Sequence, residues 1–336
     1  MYGTVRVLRN LIYAACARGA NLQRACNALG ITPEDLNNAE KRIDGMVPVI
    51  DLWSELEAST CDPCIGLHVG MENNPSVFGL LGYLMQSCRT MKDTYTELER
   101  YQQTLSGWIS YQMEVTRNGC EVTFGVSQMW TDVSPETARH AVEAAMSASL
   151  NFICMLTGQK IWPMRAELQF PANQSKAVYE RVFNCPVGFE KEKNRLIYER
   201  SFADIRVLSH DESLYAHFGE TLREKVAAFE KSGSFCDRVR QVIMRDFIGK
   251  IPPLEVIAAH MNMSERSFQR KLSQENESYR SLGTAIKKDL AFNLLRKTDA
   301  KVHSISELLG YAEPSAFHRA FKSWTKTTPV QKKNDL

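Results

Sequence analysis

Nowhere in the sequence do apolar residues run for the roughly eighteen positions that a membrane-spanning helix needs. No membrane partner is therefore expected. The strings that announce common enzyme chemistry are missing as well: no HExxH, GxSxG, Walker or GxGxxG pattern occurs, and the seven histidines are dispersed. No catalytic residue is nominated, and no cofactor is expected. The nine cysteines are odd in number and scattered through a chain too long to need disulfide staples, which suits a reducing cytoplasm. Cys61 and Cys64 form one CxxC, but no second pair and no HxxxH follows to complete four tetrahedral ligands, so no metal site is expected. The opening stretch is too short and too interrupted by arginine for a secretory signal. Val5, Leu8, Ile12 and Ala15 fall instead at helical spacing.

What is present describes a globular chain of more than one domain. Its 336 residues are about twice a typical domain length, and 44% hydrophobic with 24% charged residues excludes a disordered or fibrous protein. The net charge of +2 hides an asymmetry. Residues 235 to 336 hold 18 Lys and Arg against 11 Asp and Glu, so the rest of the chain is mildly acidic. Only the C-terminal part is suited to face a polyanion.

The N-terminal two hundred residues read as α+β. Short helices are expected at 4–18, 21–29 with Asn21 as a cap, 32–40 with Thr32 before Pro33, and 48–59. A further helical stretch covers about 78–105, broken near Arg89 and Thr90. The period then changes to two: Ile109, Tyr111, Met113 and Val115 alternate with polar residues, as do Cys120, Val122, Phe124 and Val126 after Asn118-Gly119. This predicts a hairpin with an Asn-Gly turn, in which Arg117 pairs with Cys120 and Tyr111 faces Val126. The small-residue stripe of a helix over Pro135 to Thr157 is suited to cover its apolar face. Strands are expected from Met164 to Phe170 and from Asn194 to Phe202, with a short helix at Ser175 to Phe183 between them. A connecting helix within 204–232 then leads to a C-terminal part, 233–336, with no alternating segment and hence all helix.

Two segments of that part share one plan. Leu254 to His260 is a short helix, Met261 to Met263 a turn, and Ser264 caps a helix through Leu272. Ile305 to Leu309, Gly310 to Glu313 and Pro314 to Lys322 repeat the arrangement, so each is a helix-turn-helix. Phe268 and Leu272 are four residues apart and turn inward, which leaves Arg266, Gln269, Arg270 and Ser273 on the outer face. Phe317 and Phe321 likewise leave Ser315, His318, Arg319 and Lys322 outside. Arg and Gln can make paired hydrogen bonds to guanine and adenine edges in the major groove, so double-stranded DNA is the expected partner.

These motifs resemble the AraC/XylS family of transcription activators. Ile305-Ser-Glu-Leu-Leu-Gly-Tyr311, Glu313 to Lys322 and Thr328-Pro329 carry the likeness in the second unit; Met263-Ser264, Phe268-Gln-Arg270 and Leu272 carry it in the first. The resemblance implies a linker helix, here about Tyr279 to Lys297, between two units that enter successive major grooves about 34 Å apart. Asn276 and Lys326 stand where the family usually has glycine; Asn tolerates the left-handed conformation, and Lys does so poorly. Phe78-Gly-Leu-Leu-Gly-Tyr83, Leu98 to Tyr101 and the hairpin resemble the arabinose-binding-type regulatory domain of the ornithine-utilisation and virulence regulator subgroup. The implied organisation is an effector-binding domain at 1–203, the connecting helix at 204–232 and the DNA-binding domain at 233–336. RNA polymerase is a further implied partner, and a homodimer is left open.

A helix-covered antiparallel sheet with aromatic and methionine side chains on its inner face can leave a cavity. The effector site is therefore expected between the sheet carrying Tyr111, Phe124 and Val126 and the helices bearing Phe78, Tyr83 and His140. Few charged residues fall inside, so the effector is expected to be small and mostly apolar. Two other readings compete. An enzyme carrying this module, such as a DNA-repair alkyl acceptor, needs a reactive cysteine in a Pro-Cys-His-type motif or a metal cluster; Cys185-Pro186 is a superficial likeness only. The other is an N-terminal domain that dimerises and senses nothing.

Overall fold

The computed structural model describes residues 2–73, 75–117, 119–172, 176–232, 235–247, 251–297, 302–311, 313–325 and 327–334. The chain divides into two compact units, Met1–Val226 and Ala227–Leu336.

In the first unit a three-residue strand, β1 (Tyr2–Thr4), lies antiparallel to β2 (Arg42–Asp44). Helix α1 (Val5–Ala17) begins directly after β1 and buries Val5, Leu8, Leu11, Ile12 and Ala15. α2 (Leu22–Ala28) is capped by Asn21, whose side chain accepts from the Arg24 amide at 2.9 Å. The expected helix at 32–40 contracts to a 3₁₀ turn, Pro33–Asn37, in which the Thr32 amide donates to Asp35 at 2.9 Å. α3 (Val47–Thr60) and α4 (Ile65–Gly70) follow, and then α5 (Leu80–Ser87) and α6 (Met91–Tyr101). The break between the last two is made by Thr90: its hydroxyl accepts from the Asp93 amide and Asp93 accepts from the Thr90 amide, which satisfies the first turn of α6 reciprocally.

A five-stranded sheet contains β3 (Ile109–Val115), β4 (Cys120–Val126), β5 (Arg165–Glu167), β6 (Val187–Gly188) and β7 (Arg195–Tyr198) in the order β3-β4-β7-β5-β6. The β5–β6 pair is parallel and the others are antiparallel. The hairpin register differs from the one expected. Val115, not Arg117, lies opposite Cys120, and Tyr111 lies opposite Phe124 rather than Val126. Partners slip by two residues, an even number, so every side chain keeps its face. Gly119, just outside the strand, continues this register: the Thr116 amide donates to its carbonyl at 2.8 Å, and a Cβ there would strike the Tyr198 carbonyl of β7. Asn118 lies outside the described residues. The strand expected from Met164 to Phe170 is only the three residues of β5, and that from Asn194 to Phe202 ends at Tyr198 in a 3₁₀ turn, Arg200–Asp204.

Short α7 (Gln128–Val133) leads into α8 (Pro135–Thr157), which starts on proline and ends at Gly158 with φ +68. α8 packs on β4, α3, α4 and α7 and is buried along most of its length. Its contact with α4 is close because Gly66 and Gly70 carry no side chain; a Cβ on either would collide with the carbonyl oxygen of His140 or Ala144. α9 (Lys176–Phe183) packs on α8 as well. The boundary between the two units falls within α10 (Glu212–Ser232).

The second unit is helical throughout its described residues: α11 (Phe235–Asp246), α12 (Leu254–His260), α13 (Glu265–Gln274), α14 (Tyr279–Lys297), α15 (Val302–Leu308), α16 (Pro314–Thr325) and α17 (Pro329–Asn334). Phe235, Val239, Ile243, Ile257, Phe268, Leu272, Leu282 and Ile286 form a core from α11 to α14. α14 packs on α11 at one end and on α15, α16 and α17 at the other, so the long helix joins the two helix-turn-helix units. Asn276 takes φ +57, the left-handed conformation its position demands. Lys326 lies outside the described residues.

Candidate nucleic-acid interface and ligand cavity

The two recognition helices are built alike. In α13, Ser264 accepts from the Ser267 amide at 3.3 Å and opens the helix, after a turn in which Asn262 is left-handed at φ +54. Phe268 and Leu272 are buried, with the Phe268 ring 5.1 Å from Phe235 and 5.7 Å from Tyr279, centroid to centroid. The helix cannot roll about its axis without removing these side chains from the core. Arg266, Gln269, Arg270 and Ser273 are consequently exposed. In α16, Phe317 and Phe321 are fully buried with their rings 5.7 Å apart, which turns Ser315, Arg319 and Lys322 to solvent; His318 is half-buried. Each set of four has the spacing i, i+3, i+4, i+7, a single stripe along one helix face.

The stripes are cationic and unneutralised. Among the described residues, Arg266, Arg270, Arg319 and Lys322 enter no ion pair, whereas Arg18, Arg24 and Arg195 of the first unit pair with Glu72, Glu55 and Glu121. The turn before α16 is held from the linker helix. Lys287 of α14 places its ammonium 4.3 Å from the centre of the Tyr311 ring, which in turn lies 5.5 Å from Phe317. Burial lowers the pKa of Lys287 from the ordinary lysine value.

The first unit contains a cavity of about 90 Å³ walled by α1, α3, α8, β3 and the turns 75–78 and 102–106. Its wall is mostly apolar: Leu8, Leu11, Trp53, Phe78, Phe152 and the alanine stripe of α8 at 141, 144, 145 and 148. Of the six expected effector residues, Phe78 and Tyr111 line it, their rings 6.3 Å apart and edge to face. The other four do not. Phe124 is fully buried behind Tyr111 at 5.7 Å, and Val126 lies opposite Ile109 near the end of the ladder. Tyr83 points away: it is 57% exposed and stacks on Phe218 of α10 at 5.7 Å. His140 is enclosed, stacked on Trp53 at 5.8 Å with its ring nitrogens 3.3 Å from Glu57 and 3.5 Å from Glu143.

His140 belongs to a buried polar cluster that sequence reasoning missed. Glu143, with no exposed surface, accepts from the Tyr179 hydroxyl at 2.8 Å and lies 3.6 Å from Arg139. Burial, reinforced by Glu143, pushes the nearby Cys64 thiol up to about 11. Cys185 is likewise pushed up to about 11 by burial, the opposite of the lowered pKa that a thiolate nucleophile needs. Sequence reasoning also missed Asn73, Gln102, Trp108 and Trp130 in the cavity wall; the four tightly spaced alanines of α8 were the available signal that something abuts that face.

Residues 19–207 match the model of the arabinose-binding domain of AraC transcription regulators, and residues 257–334 match a helix-turn-helix domain. An HTH-type transcriptional regulator of Mycobacterium tuberculosis is 25% identical over 327 residues, covering 97% of this chain and 95% of its own. The ornithine utilization regulator of Pseudomonas aeruginosa is 24% identical over 312 residues, 93% of this chain and 90% of that protein. The transcriptional activator PerA of Escherichia coli O127:H6 is 36% identical over 98 residues, 29% of this chain and 35% of its own length. Among solved structures, the transcriptional regulator CdpR of Pseudomonas aeruginosa aligns with a TM-score of 0.44 and 19% identity over 93% of this chain and 96% of its own.

Proposed function

From the premise that the chain belongs to the AraC family of transcription regulators, with the arabinose-binding-type domain preceding the helix-turn-helix domain and binding to DNA as its function, we propose that it activates transcription when a small effector occupies the cavity of the first unit. The observation that carries the DNA half of this reading is the pair of stripes, Arg266, Gln269, Arg270, Ser273 and Ser315, His318, Arg319, Lys322, on equivalent faces of two helix-turn-helix units in the cationic part of the chain. Each stripe presents side chains suited to base edges, and the bases read by the two would lie about one helical turn, roughly 10 base pairs, apart. Activation rather than repression is supported by the likeness of a 98-residue stretch to the transcriptional activator PerA. RNA polymerase is then the partner on the promoter.

Selection of duplexes from a random pool by the full-length protein tests the reading. Enrichment of two short motifs at a fixed spacing of about one turn is expected. A single motif, or none above background, would refute it. Transcription from the selected site in vitro, with the protein added, reads the sign directly.

A further inference from the structure

The wall of the cavity specifies more than an apolar ligand. Most of its polar side chains are already engaged: Trp108 donates to the Gly45 carbonyl at 3.1 Å, Trp130 donates to Thr137 at 2.8 Å, and Ser106 accepts from the Trp108 amide. Gln102 uses both ends of its amide on the backbone of Tyr111. Two groups remain. The side-chain oxygen of Asn73, in a residue 8% exposed, is buried with no hydrogen-bond partner. The Tyr111 hydroxyl has none either among the described residues, and burial alone raises its pKa. A buried acceptor without a donor is costly, and native folds retain one chiefly where something else supplies the missing partner. Among the described residues no Asp, Glu, Lys, Arg or His lines the cavity, so a charged ligand would be desolvated with nothing to compensate it.

Resting on the reading that this cavity takes the effector, we propose that the ligand is a short, neutral aliphatic molecule of carboxamide or alcohol type, which donates a hydrogen bond to Asn73 and accepts one from the Tyr111 hydroxyl. Size supports an aliphatic body: at about 90 Å³ the cavity is smaller than the roughly 150 Å³ that accommodates benzene. Valency argues against a sugar, despite the description of the family's domain. A pentose would bring several hydroxyls, each able to donate and accept, into a wall that offers only Asn73, Tyr111 and the Ser106 hydroxyl proton, and the remainder would be buried without partners.

Thermal shift of the full-length protein against matched four-carbon probes tests this assignment. Butyramide and butan-1-ol are expected to raise the melting temperature saturably. Methyl propionate, which lacks a donor, should bind at least about tenfold more weakly. Butyrate, butylammonium and arabinose should give no shift. Asn73→Leu, checked for fold by circular dichroism, should erase the preference for butyramide over the ester. Tyr111→Phe should weaken both, since each offers a carbonyl acceptor. Equal or tighter binding of butyrate, butylammonium or arabinose overturns the ligand class and leaves the effector reading standing. Xenon NMR separates the remaining case. Xenon uptake without binding of any probe overturns the ligand class alone, whereas neither xenon nor probe binding removes the cavity as a site and the effector reading with it.

Discussion

The hydroxyl of Tyr179 on α9 donates a 2.8 Å hydrogen bond to Glu143, a carboxyl group with no exposed surface on α8. Arg139 and His140 stand farther from the same carboxyl, at 3.6 and 3.5 Å, so Tyr179 supplies its shortest contact. Tyr179→Phe removes that donor and nothing else of bulk. It is expected to destabilise the protein by about 1 to 3 kcal/mol, the cost of a buried acceptor deprived of its partner. Urea unfolding checks this, and Tyr179→Phe should cost much less in a Glu143→Leu background, which has no acceptor for the hydroxyl. A loss below about 0.5 kcal/mol would show that Arg139 and His140 suffice.

Arg270→Ala and Arg319→Ala are each expected to weaken binding to the selected operator by about 1 to 3 kcal/mol, roughly five- to 150-fold, and binding to random duplex far less. Fluorescence anisotropy at fixed salt measures both. Equal losses on the two DNAs would reassign the residue to a phosphate contact.

Asn276 holds φ +57 directly after α13. Asn276→Gly should be neutral or slightly stabilising, because glycine adopts this conformation freely; Asn276→Val should cost about 1 to 2 kcal/mol. Denaturant unfolding followed by helical circular dichroism distinguishes them. Indifference to valine would mean that the turn is not fixed in the way described.

Burial pushes the thiols of Cys64, Cys120 and Cys185 up to about 11 and that of Cys88 up to about 12. All four are raised relative to the unfolded chain, so their contribution is complete below the ordinary thiol range and is lost as pH rises from about 9 through the folded values. Stability of the reduced protein should therefore fall steeply between pH 9 and about 12. Cys120→Ala should flatten that slope by roughly one proton. A midpoint that is constant across this range, or an unchanged slope in the variant, would contradict the assignment.

Much of this fold is legible residue by residue. Asn21, Thr90 and the Pro135…Gly158 pair mark helix ends because capping and left-handed termini are local chemistry. The outward faces of α13 and α16 follow from where Phe268, Leu272, Phe317 and Phe321 must go. What could not be read depends on elements distant in sequence. β1 and β2 are three residues each and have no period to detect, and their pairing joins Tyr2 to Asp44 across the chain. The hairpin also packs against a distant strand, since the space beside Gly119 is closed by the carbonyl of Tyr198 in β7. His140 was placed at the effector site because it lies on the covering helix. In the structure Trp53 and Glu57, one turn apart on α3, close over it. The cavity is a gap between side chains of several elements, so only their assembly reveals which residues face it.

The glycine seam between α4 and α8 gives the cavity of the first unit one fixed jaw. With Gly66 and Gly70 seated against the backbone of His140 and Ala144, α8 has no slack to yield toward α4. An occupant larger than the present space must move some other part of the wall, which α1, α3, β3 and the turns at 75–78 and 102–106 complete. The first unit is in this sense a vise with one jaw already held by backbone contact.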